Sequence, residues 1–406
     1  MSFQELSQFK YQVKNVLNKM VGLNKCRKDF FISTMSLFLS IKGRINFLQL
    51  ERFSDIDEQS FRNQFEKPFD FLKFNKELVL EHGSGHFTIA FDPSYISKSG
   101  KHTPGLGYFW SGCASKTKWG LEIGGIAAID IDNHTAFHLD AKQTIYDTEK
   151  DNLVSHYANL LIDNKESLFQ ISKYVVVDAY FAKETFINKL ANHNFDVITR
   201  LRDDANLMYL YNGEKRKGRG RPQKHDGKID FKSLKNEHFN LLEISEIERL
   251  YCGIVFSKSL KKNIAVTILY TKNTKKDKWS HKIFMSTDLN LSGQQILQYY
   301  RTRFQIEFLY RDGKQFTGLN DCQARSVNKL DFQFNMSLTT INIAKIAHWL
   351  SKPKDQRKSF SMSDIKTMYH NELLVNRFLI KFGINPHLTK NKKKILQLLD
   401  YGKIAA

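Results

Sequence analysis

The chain has 406 residues, of which 41% are hydrophobic, 26% are charged and 6 are proline, a composition that excludes collagen-like and disordered classes. With 62 lysines and arginines against 42 acidic residues, the formal net charge is +20, which favours a polyanionic partner, most commonly nucleic acid. The four cysteines form no CxxC pair, and the longest apolar run, near residues 30–41, is too short to span a bilayer. We therefore expect a cytoplasmic protein that does not enter a membrane and carries no signal peptide.

The N-terminal part, residues 1–82, is predicted to form a helical domain, with helices near residues 4–21, 25–41 and 56–65. Lysines and arginines are interleaved along these helices. Two interpretations stay open for them, contact with DNA or ordinary solvation of a helical subdomain that packs on the core.

Two aspartates follow apolar segments that have strand character. Asp92 and Pro93 end the alternating segment that begins at Phe87, and Asp178 ends a continuous apolar run that begins at Tyr174. A charge at the end of a buried strand is costly to desolvate unless it is paired or binds a metal. A strand-end turn or a helix N-cap is the alternative role for either residue.

The order of elements around the two aspartates is informative. Strands are predicted at residues 110–114, 121–129 and 135–139, a helix at 149–164, the strand that leads to Asp178, a helix at 182–193 and a strand at 195–201. Antiparallel strands followed by strand and helix alternation are close to the order of a ribonuclease-H-like fold. We therefore predict an α/β protein with a mixed five-stranded sheet and helices, its first part spanning residues 83–202.

Residues 203–286 interrupt this pattern with strand-like runs at 207–211, 251–256, 264–270 and 281–286, which predict a mostly β insertion domain. Its most basic segment contains Arg219 and Arg221 in an Arg-Gly-Arg-Pro core that resembles an AT-hook, a peptide that lies in a narrow A·T minor groove. A disordered basic loop that touches phosphates without selectivity is the alternative.

A late helix, predicted between a capping box at Ser292 and Gln295 and a stop at Thr317-Gly318, carries a polar stripe. Its members are Tyr300 and the residues three, seven and fourteen positions later, and these offsets fall within about 60° of one another on a helix surface. Leu297, Phe304 and Phe308 form an apolar stripe beside it. A carboxylate between cations suits a metal-dependent phosphodiester site, although a solvated charged face is the common meaning of such residues. The stripe consists of Tyr300, Arg303, Glu307 and Lys314.

This helix belongs to the last part of the core, residues 287–352, and a polar, lysine-rich helical tail is predicted over residues 353–406. The tail is predicted to hold short helices near residues 362–370 and 393–399.

The spacing Tyr300-x2-Arg303-x3-Glu307-x6-Lys314 resembles the YREK signature of bacterial insertion-sequence transposases of the DDE class, in the insertion-sequence-four-like group. The segments around Asp92 and Asp178 resemble the blocks that hold this family's first and second aspartates. The resemblance spans residues 86–350. It implies that Asp92, Asp178 and Glu307 are the catalytic acids and bind Mg²⁺, with Mn²⁺ as a substitute.

The resemblance further implies cut-and-paste transposition, in which the enzyme cleaves the ends of an element and joins them to target DNA. The partners would be double-stranded DNA, both the terminal inverted repeats and the target, and a second copy in a homodimer. DNA contacts would come from Tyr300, Arg303 and Lys314, from residues 1–82 and from the insertion, where Trp279 would stack on a flipped base or be a buried core residue. Nucleoid association in a bacterial cytoplasm would follow.

Two other functions stay open. A metal-dependent DNA nuclease on the same fold would cleave without joining, and a non-catalytic derivative would bind DNA only. Lys98, Lys101, Arg200 and Arg202 lie near the acidic strand ends and are either secondary DNA contacts or ordinary surface charge.

Overall fold

The computed structural model describes residues 2–149, 151–213, 222–357, 359–386 and 388–404. Its helices are α1 Ser2–Lys19, α2 Lys25–Ser40, α3 Phe47–Arg52, α4 Glu58–Glu66, α5 Phe71–His82, α6 Leu153–Ile162, α7 Lys165–Leu168, α8 Glu184–Ala191, α9 Gly293–Thr302, α10 Gln305–Phe316, α11 Val327–Leu350, α12 Met362–Lys381 and α13 Thr389–Leu399. Its strands are β1 Phe87–Ser97, β2 Gly107–Ser111, β3 Lys116–Asp130, β4 Thr135–Gln143, β5 Tyr174–Val176, β6 Asp196–Leu201, β7 Leu207–Leu210, β8 His225–Lys228, β9 Asn240–Ile244, β10 Glu248–Ser257, β11 Lys262–Asn273 and β12 Lys278–Ser286.

One mixed sheet runs through the described residues. At its centre β4, β3, β1, β5 and β6 lie side by side, with β5 parallel to both β1 and β6 and the other pairs antiparallel. This mixed α/β arrangement is consistent with a ribonuclease-H-like core. The strands predicted for residues 203–286 continue the same sheet, because β12 pairs with β6 in antiparallel fashion and β11 and β10 follow it.

Helices cover both faces of this central sheet. Successive strand residues point to opposite faces. A Cβ at Gly124 would meet Leu160 of α6, whereas a Cβ at the next residue, Gly125, would meet Tyr310 of α10. Helix α6 therefore packs on one face of β3 and α10 on the other.

The N-terminal helices pack on the long helix α11 through aromatic side chains. Phe332 of α11 contacts Phe31, Phe65 and Phe71, with ring centroids 4.4–5.5 Å apart. Arg27, one of the interleaved basic residues, is buried in this cluster and donates hydrogen bonds to the carbonyl groups of residues 64 and 67. Its role is structural, since a side chain fixed in this way cannot reach a DNA phosphate.

The prediction that the first strand ends at Asp92-Pro93 is wrong, because β1 continues to Ser97. Strand β5 pairs with β1 only at Ile89 and Ala90, so one edge of β1 is open from there onward. Proline is tolerated at an open edge, where no neighbour needs its missing N–H. Asp92 thus lies within a strand and not in a turn.

The prediction of one continuous helix between Ser292 and Thr317 is also wrong. Its capping box and its end are present, but α9 ends at Thr302 and α10 begins at Gln305. The Thr302 hydroxyl donates to the carbonyl of Gln298, and the amides of residues 306 and 307 bond to carbonyls three residues earlier. These local bonds tighten the chain into a 3₁₀-like turn at Arg303.

The predicted apolar stripe beside the polar one holds only at Leu297, which is buried. Phe304 and Phe308 are 48% and 38% exposed and pack on each other with ring centroids 5.0 Å apart. The tightened turn rotates α10 relative to α9, so a stripe drawn for one regular helix does not continue across it.

None of the helices in the described residues combines the length and the apolar character that crossing a bilayer requires. Five elements were not predicted: α3, α5, α7, β8 and β9. The two strands among them are short and mostly exposed and lack the alternation that identifies a half-buried strand.

Candidate active site

Asp92 lies on the face of β1 that α10 covers. Phe91 packs on Tyr157 of α6 on the opposite face, with ring centroids 5.4 Å apart, and strand alternation turns Asp92 the other way. The Tyr310 hydroxyl of α10 donates a 2.6 Å hydrogen bond to the Asp92 carbonyl oxygen. This bond holds α10 against the strand at the position of the first acid.

Asp178 follows β5 directly and lies level with Asp92, since Ala90 pairs with Val176 two residues earlier on each strand. The Asp178 carboxylate accepts a 3.0 Å hydrogen bond from the Tyr180 amide, so it caps a short 3₁₀ turn. The Thr199 hydroxyl of β6 donates to the Asp178 carbonyl at 2.8 Å. The capping role that the sequence left open is therefore present, and it leaves the second carboxylate oxygen available.

Arg303 lies between the acids of two elements. Its Nη2 donates to Glu307 Oε1 at 2.9 Å, and its Nη1 lies 3.8 Å from Asp92 Oδ1. The Arg303 side chain is buried, and its Nε and Nη1 have no hydrogen-bond partner among the described residues. A buried guanidinium with two donors that form no hydrogen bond is unusual, because each unsatisfied buried donor lowers the free energy of unfolding.

The acids perturb one another. Burial raises the pKa of Asp92 to about 7, with Asp178 and Glu307 adding to the rise and Arg303 opposing it. Burial also raises the pKa of Asp178, and again Arg303 opposes the rise. For Arg303, burial lowers the pKa, but Asp92 and Glu307 outweigh it and the net pKa is raised. The site therefore has more negative charge than one arginine compensates.

Lys314 and Tyr300 border this group. Lys314 Nζ donates to the Ser94 hydroxyl at 2.9 Å, two residues along β1 from Asp92. Burial lowers the pKa of Lys314, and Asp92 opposes this. The Tyr300 ring packs on Phe284 at 4.9 Å between centroids and lies 5.9 Å from the Arg303 guanidinium carbon.

The donor set fits a hard divalent cation. Asp92, Asp178 and Glu307 offer only carboxylate oxygens, which Mg²⁺ prefers, and the raised pKa of Asp92 reports a deficit of positive charge that such an ion would relieve. The three carboxylates are not gathered within 4.8 Å of one another in this structure, where Arg303 lies among them.

A second group of possible ligands was not anticipated. Asp226, Glu237 and His238 have ligand atoms within 4.8 Å of one another. Lys235 Nζ lies 3.1 Å from Asp226 Oδ2 and already neutralises much of this charge. The three residues come from two different parts of the insertion, so spacing in the sequence does not reveal the group.

The remaining predicted DNA contacts are Arg219, Arg221 and Trp279. Arg219 and Arg221 fall outside the described residues. Trp279 is half-buried under Arg249, whose guanidinium carbon is 4.7 Å from the ring centroid. Trp279 precedes Ile283 by four residues in β12, and Ile283 pairs with Leu201, the last residue of β6. Trp279 therefore projects about 13 Å past the edge where Asp178 lies.

Sequence reasoning missed four residues that build the site: Ser94, Gly125, Thr199 and Tyr310. Two of them carry a local signal. Ser94 is two residues from Asp92 and so shares its face of β1, and Tyr310 is one helical turn from Glu307. Gly125 and Thr199 become visible only through the pairing of the strands.

Residues 155–343 match the family described as transposase DDE domain. The matched part contains Asp178, Arg303, Glu307 and Lys314, whereas Asp92 precedes it. The match supports a DDE transposase and, with it, a DNA substrate and a divalent metal, which DDE transposases generally use. No curated protein matches the chain.

Proposed function

We propose, on the premise of this transposase DDE domain, that the protein is a Mg²⁺-dependent cut-and-paste transposase of the YREK-bearing, insertion-sequence-four-like group. The observation that carries the proposal is the meeting of Asp92 and Glu307 at Arg303, with Asp178 level with Asp92 on the neighbouring strand. Residues more than 200 positions apart form one charged group at a sheet edge. Such a group has no evident role in stability, because it leaves the Asp92 carboxyl with a raised pKa.

The ion would be held by Asp92, Asp178 and Glu307, and Mn²⁺ would serve in place of Mg²⁺. When bound, such ions lower the pKa of an attacking water or 3′-hydroxyl and stabilise the leaving oxygen of a phosphodiester. The chain's own residues prepare the site. Tyr310 holds the backbone of Asp92, and the Thr199 hydroxyl holds that of Asp178, so both carboxylates are positioned before DNA arrives.

The cations of the polar stripe would bind phosphates. Arg303, whose Nε and Nη1 make no hydrogen bond to the described residues, would donate to a phosphate beside the acids, and Lys314 would act as a point charge. Tyr300 would contact a phosphate or orient the terminal nucleotide. Arg219, Arg221 and Trp279 stay proposals for DNA contact outside this group.

The alternatives are a nuclease that cleaves without joining and a DNA-binding protein without catalysis. The experiment is to incubate the protein with a labelled DNA fragment that carries the element's end and with a target duplex, in Mg²⁺ or Mn²⁺. Cleavage with joining supports the transposase, and cleavage alone supports the nuclease. Retention of DNA with no cleavage in either metal would refute both enzymatic proposals.

Two further parts of the proposal are a homodimer that holds two element ends and location at the bacterial nucleoid in the cytoplasm. Sedimentation with and without end DNA tests the dimer. Short inverted repeats bounded by direct duplications around the coding gene would support cut-and-paste transposition, because joining at staggered target positions produces such duplications.

A further inference from the structure

The segment between Asp92 and Glu122 carries no acidic residue. Its 29 residues contain four lysines and one histidine, whereas the whole chain has 42 acidic residues in 406. Two of the chain's four tryptophans lie in it. An acid-free, lysine-bearing and aromatic segment of this length is typical of a surface that meets a polyanion with exposed rings.

The structure arranges these aromatic residues on a hairpin formed by β2 and β3. Tyr108, Trp110 and Trp119 are 74%, 61% and 42% exposed. Tyr108 and Trp110 are two residues apart in β2 and so point to one face, and Trp119 pairs with Tyr108 across the hairpin with ring centroids 5.3 Å apart. Three large rings therefore form one open face, which we name the aromatic hairpin face.

Two hydrogen bonds hold the hairpin against neighbouring parts of the chain. The Tyr95 hydroxyl of β1 donates to the Trp119 carbonyl at 2.7 Å, and Trp119 Nε1 donates to the Gly100 carbonyl at 3.3 Å. Because Trp119 is held in this way and Tyr108 packs on it, these two rings lose little conformational freedom when a ligand stacks on them. The exposure of the aromatic hairpin face is therefore compatible with a preformed contact surface.

The hairpin also borders the candidate active site. Strands β2 and β3 pair beyond the end of β1, where Gly120 lies opposite both Ser97 and Gly107. Ser97 lies five residues after Asp92 in β1, toward the same end of the strands at which Asp178 follows β5. The tip of the hairpin turns toward α10, because Cys113 lies close enough to Lys314 to influence its pKa.

A cation-lined cavity of about 610 Å³ lies at the base of the same segment. Lys98, one of its lining residues, donates to the carbonyls of Cys322 and Ala324 and is thereby fixed. The one carboxylate in the lining, Asp321, accepts a hydrogen bond from the Ile45 amide. The cationic lining residues are Arg44, Lys98, Lys101 and Arg325.

We propose that the aromatic hairpin face stacks on unpaired bases of a DNA strand beside the candidate active site, while the cation-lined cavity holds phosphates of that strand. The proposal rests on the proposed function and specifies which DNA form it handles near the cut. Charge decides between possible occupants. A second copy of this chain would bring another acid-free segment from a protein of net charge +20, whereas a nucleic-acid strand offers both bases and negative charge.

The test measures binding of a labelled oligothymidylate of about 12 nucleotides, containing one 2-aminopurine, in EDTA so that no cleavage is needed. We expect 2-aminopurine fluorescence to be quenched on binding by the wild-type protein. Trp110→Ala should lose most of this quenching and weaken binding about 5- to 150-fold, the range that corresponds to stacking on one base. Trp110→Phe should restore most of the affinity, because a ring is retained.

Salt dependence separates the two parts of the surface. Trp110→Ala should leave the salt slope of binding unchanged, since stacking releases no counterions, whereas Lys101→Ala should reduce it by about one. Phe378→Ala is the matched control, because Phe378 is 54% exposed and Trp110 is 61% exposed. Phe378 packs on Phe382 in the C-terminal part and does not belong to the hairpin. This control should bind as the wild type does.

Two results would overturn the proposal. One is oligothymidylate binding that Trp110→Ala and Tyr108→Ala both leave unchanged. The other is that these variants lose a dimer in sedimentation while their oligothymidylate binding stays unchanged, which would assign the face to a second copy. Cleavage assays in Mg²⁺ are read separately. Quenching without cleavage by the wild type would leave this proposal in place and refute the enzymatic function.

Discussion

Arg303 and Glu307 form an ion pair of 2.9 Å across the tight turn that separates α9 from α10, and the same guanidinium lies 3.8 Å from Asp92 on the sheet. In a regular helix the Arg303 side chain would have one charged neighbour at i+4. Here it gathers acids from a strand and a helix. Arg303 thus places one positive charge beside both carboxylates, and its buried Nε and Nη1 make no hydrogen bond to the described residues.

Replacing Glu307 by Ala or Gln is expected to abolish cleavage of end DNA and to leave DNA binding within about twofold. Even outer-shell partners of metal ligands cost 10–100-fold when removed, so loss of a ligand should exceed about 100-fold. Gel-based cleavage and anisotropy binding assays measure the two effects. Glu166→Ala is the control, since the Glu166 side chain is 88% exposed and forms an ion pair with the neighbouring Lys165 at 3.8 Å. Normal cleavage by Glu307→Ala would contradict the site assignment.

Lys314→Ala is expected to reduce the salt slope of DNA binding by about one, because one phosphate contact would be lost. The measurement is the affinity for an end fragment over a series of salt concentrations. Lys165→Ala, which removes an exposed lysine 3.8 Å from Glu166, serves as the control for simple loss of charge. Equal slopes for Lys314→Ala and the wild type would argue against a phosphate contact.

Asp92→Asn is expected to raise the melting temperature in EDTA at pH 8, by about 2–4 °C for each kcal/mol gained. The Asp92 pKa is about 7 in the folded protein against an ordinary value of 3.8, so between these values the folded protein binds the extra proton. Stability must then fall as the pH rises through this window, because the buried carboxyl is forced to ionise.

The advantage of Asp92→Asn over the wild type should therefore grow from about pH 4 to pH 7 and stay constant above pH 8. Thermal melting at several pH values measures it. Asp57→Asn is an informative comparison, because hydrogen bonds from Ser60 lower the pKa of Asp57 and its substitution should not stabilise the protein at high pH. An advantage of Asp92→Asn that did not change with pH would refute the raised pKa.

Gly125→Ala is expected to be strongly destabilising, because its new Cβ would lie 2.0 Å from the Tyr310 hydroxyl oxygen. Tyr310→Phe alone should cost about 1 kcal/mol through loss of the hydrogen bond to the Asp92 carbonyl. The double variant should be more stable than the sum of the two losses predicts, because removing the hydroxyl makes room for the methyl group. Urea unfolding measures all three, and strict additivity would contradict the contact.

Much of the site was predictable because its signals are local. Asp92 and Asp178 follow apolar segments, the capping box at Ser292 marks a helix start, and the spacing of Tyr300, Arg303, Glu307 and Lys314 is visible without coordinates. The strand that continues past Pro93 was missed, because whether a proline ends a strand depends on which edge has a partner.

The sequence by itself determined the order of helices and strands, the net charge and the separation of the acids along the chain, because these depend on residue type and periodicity within short windows. Only the tertiary structure decided that β1 turns Asp92 toward α10, that the chain tightens at Arg303 and that an aromatic hairpin borders the acids. These features arise from contacts between residues that include pairs more than 200 positions apart. Strand pairing and side-chain packing select such contacts, and no local pattern encodes them.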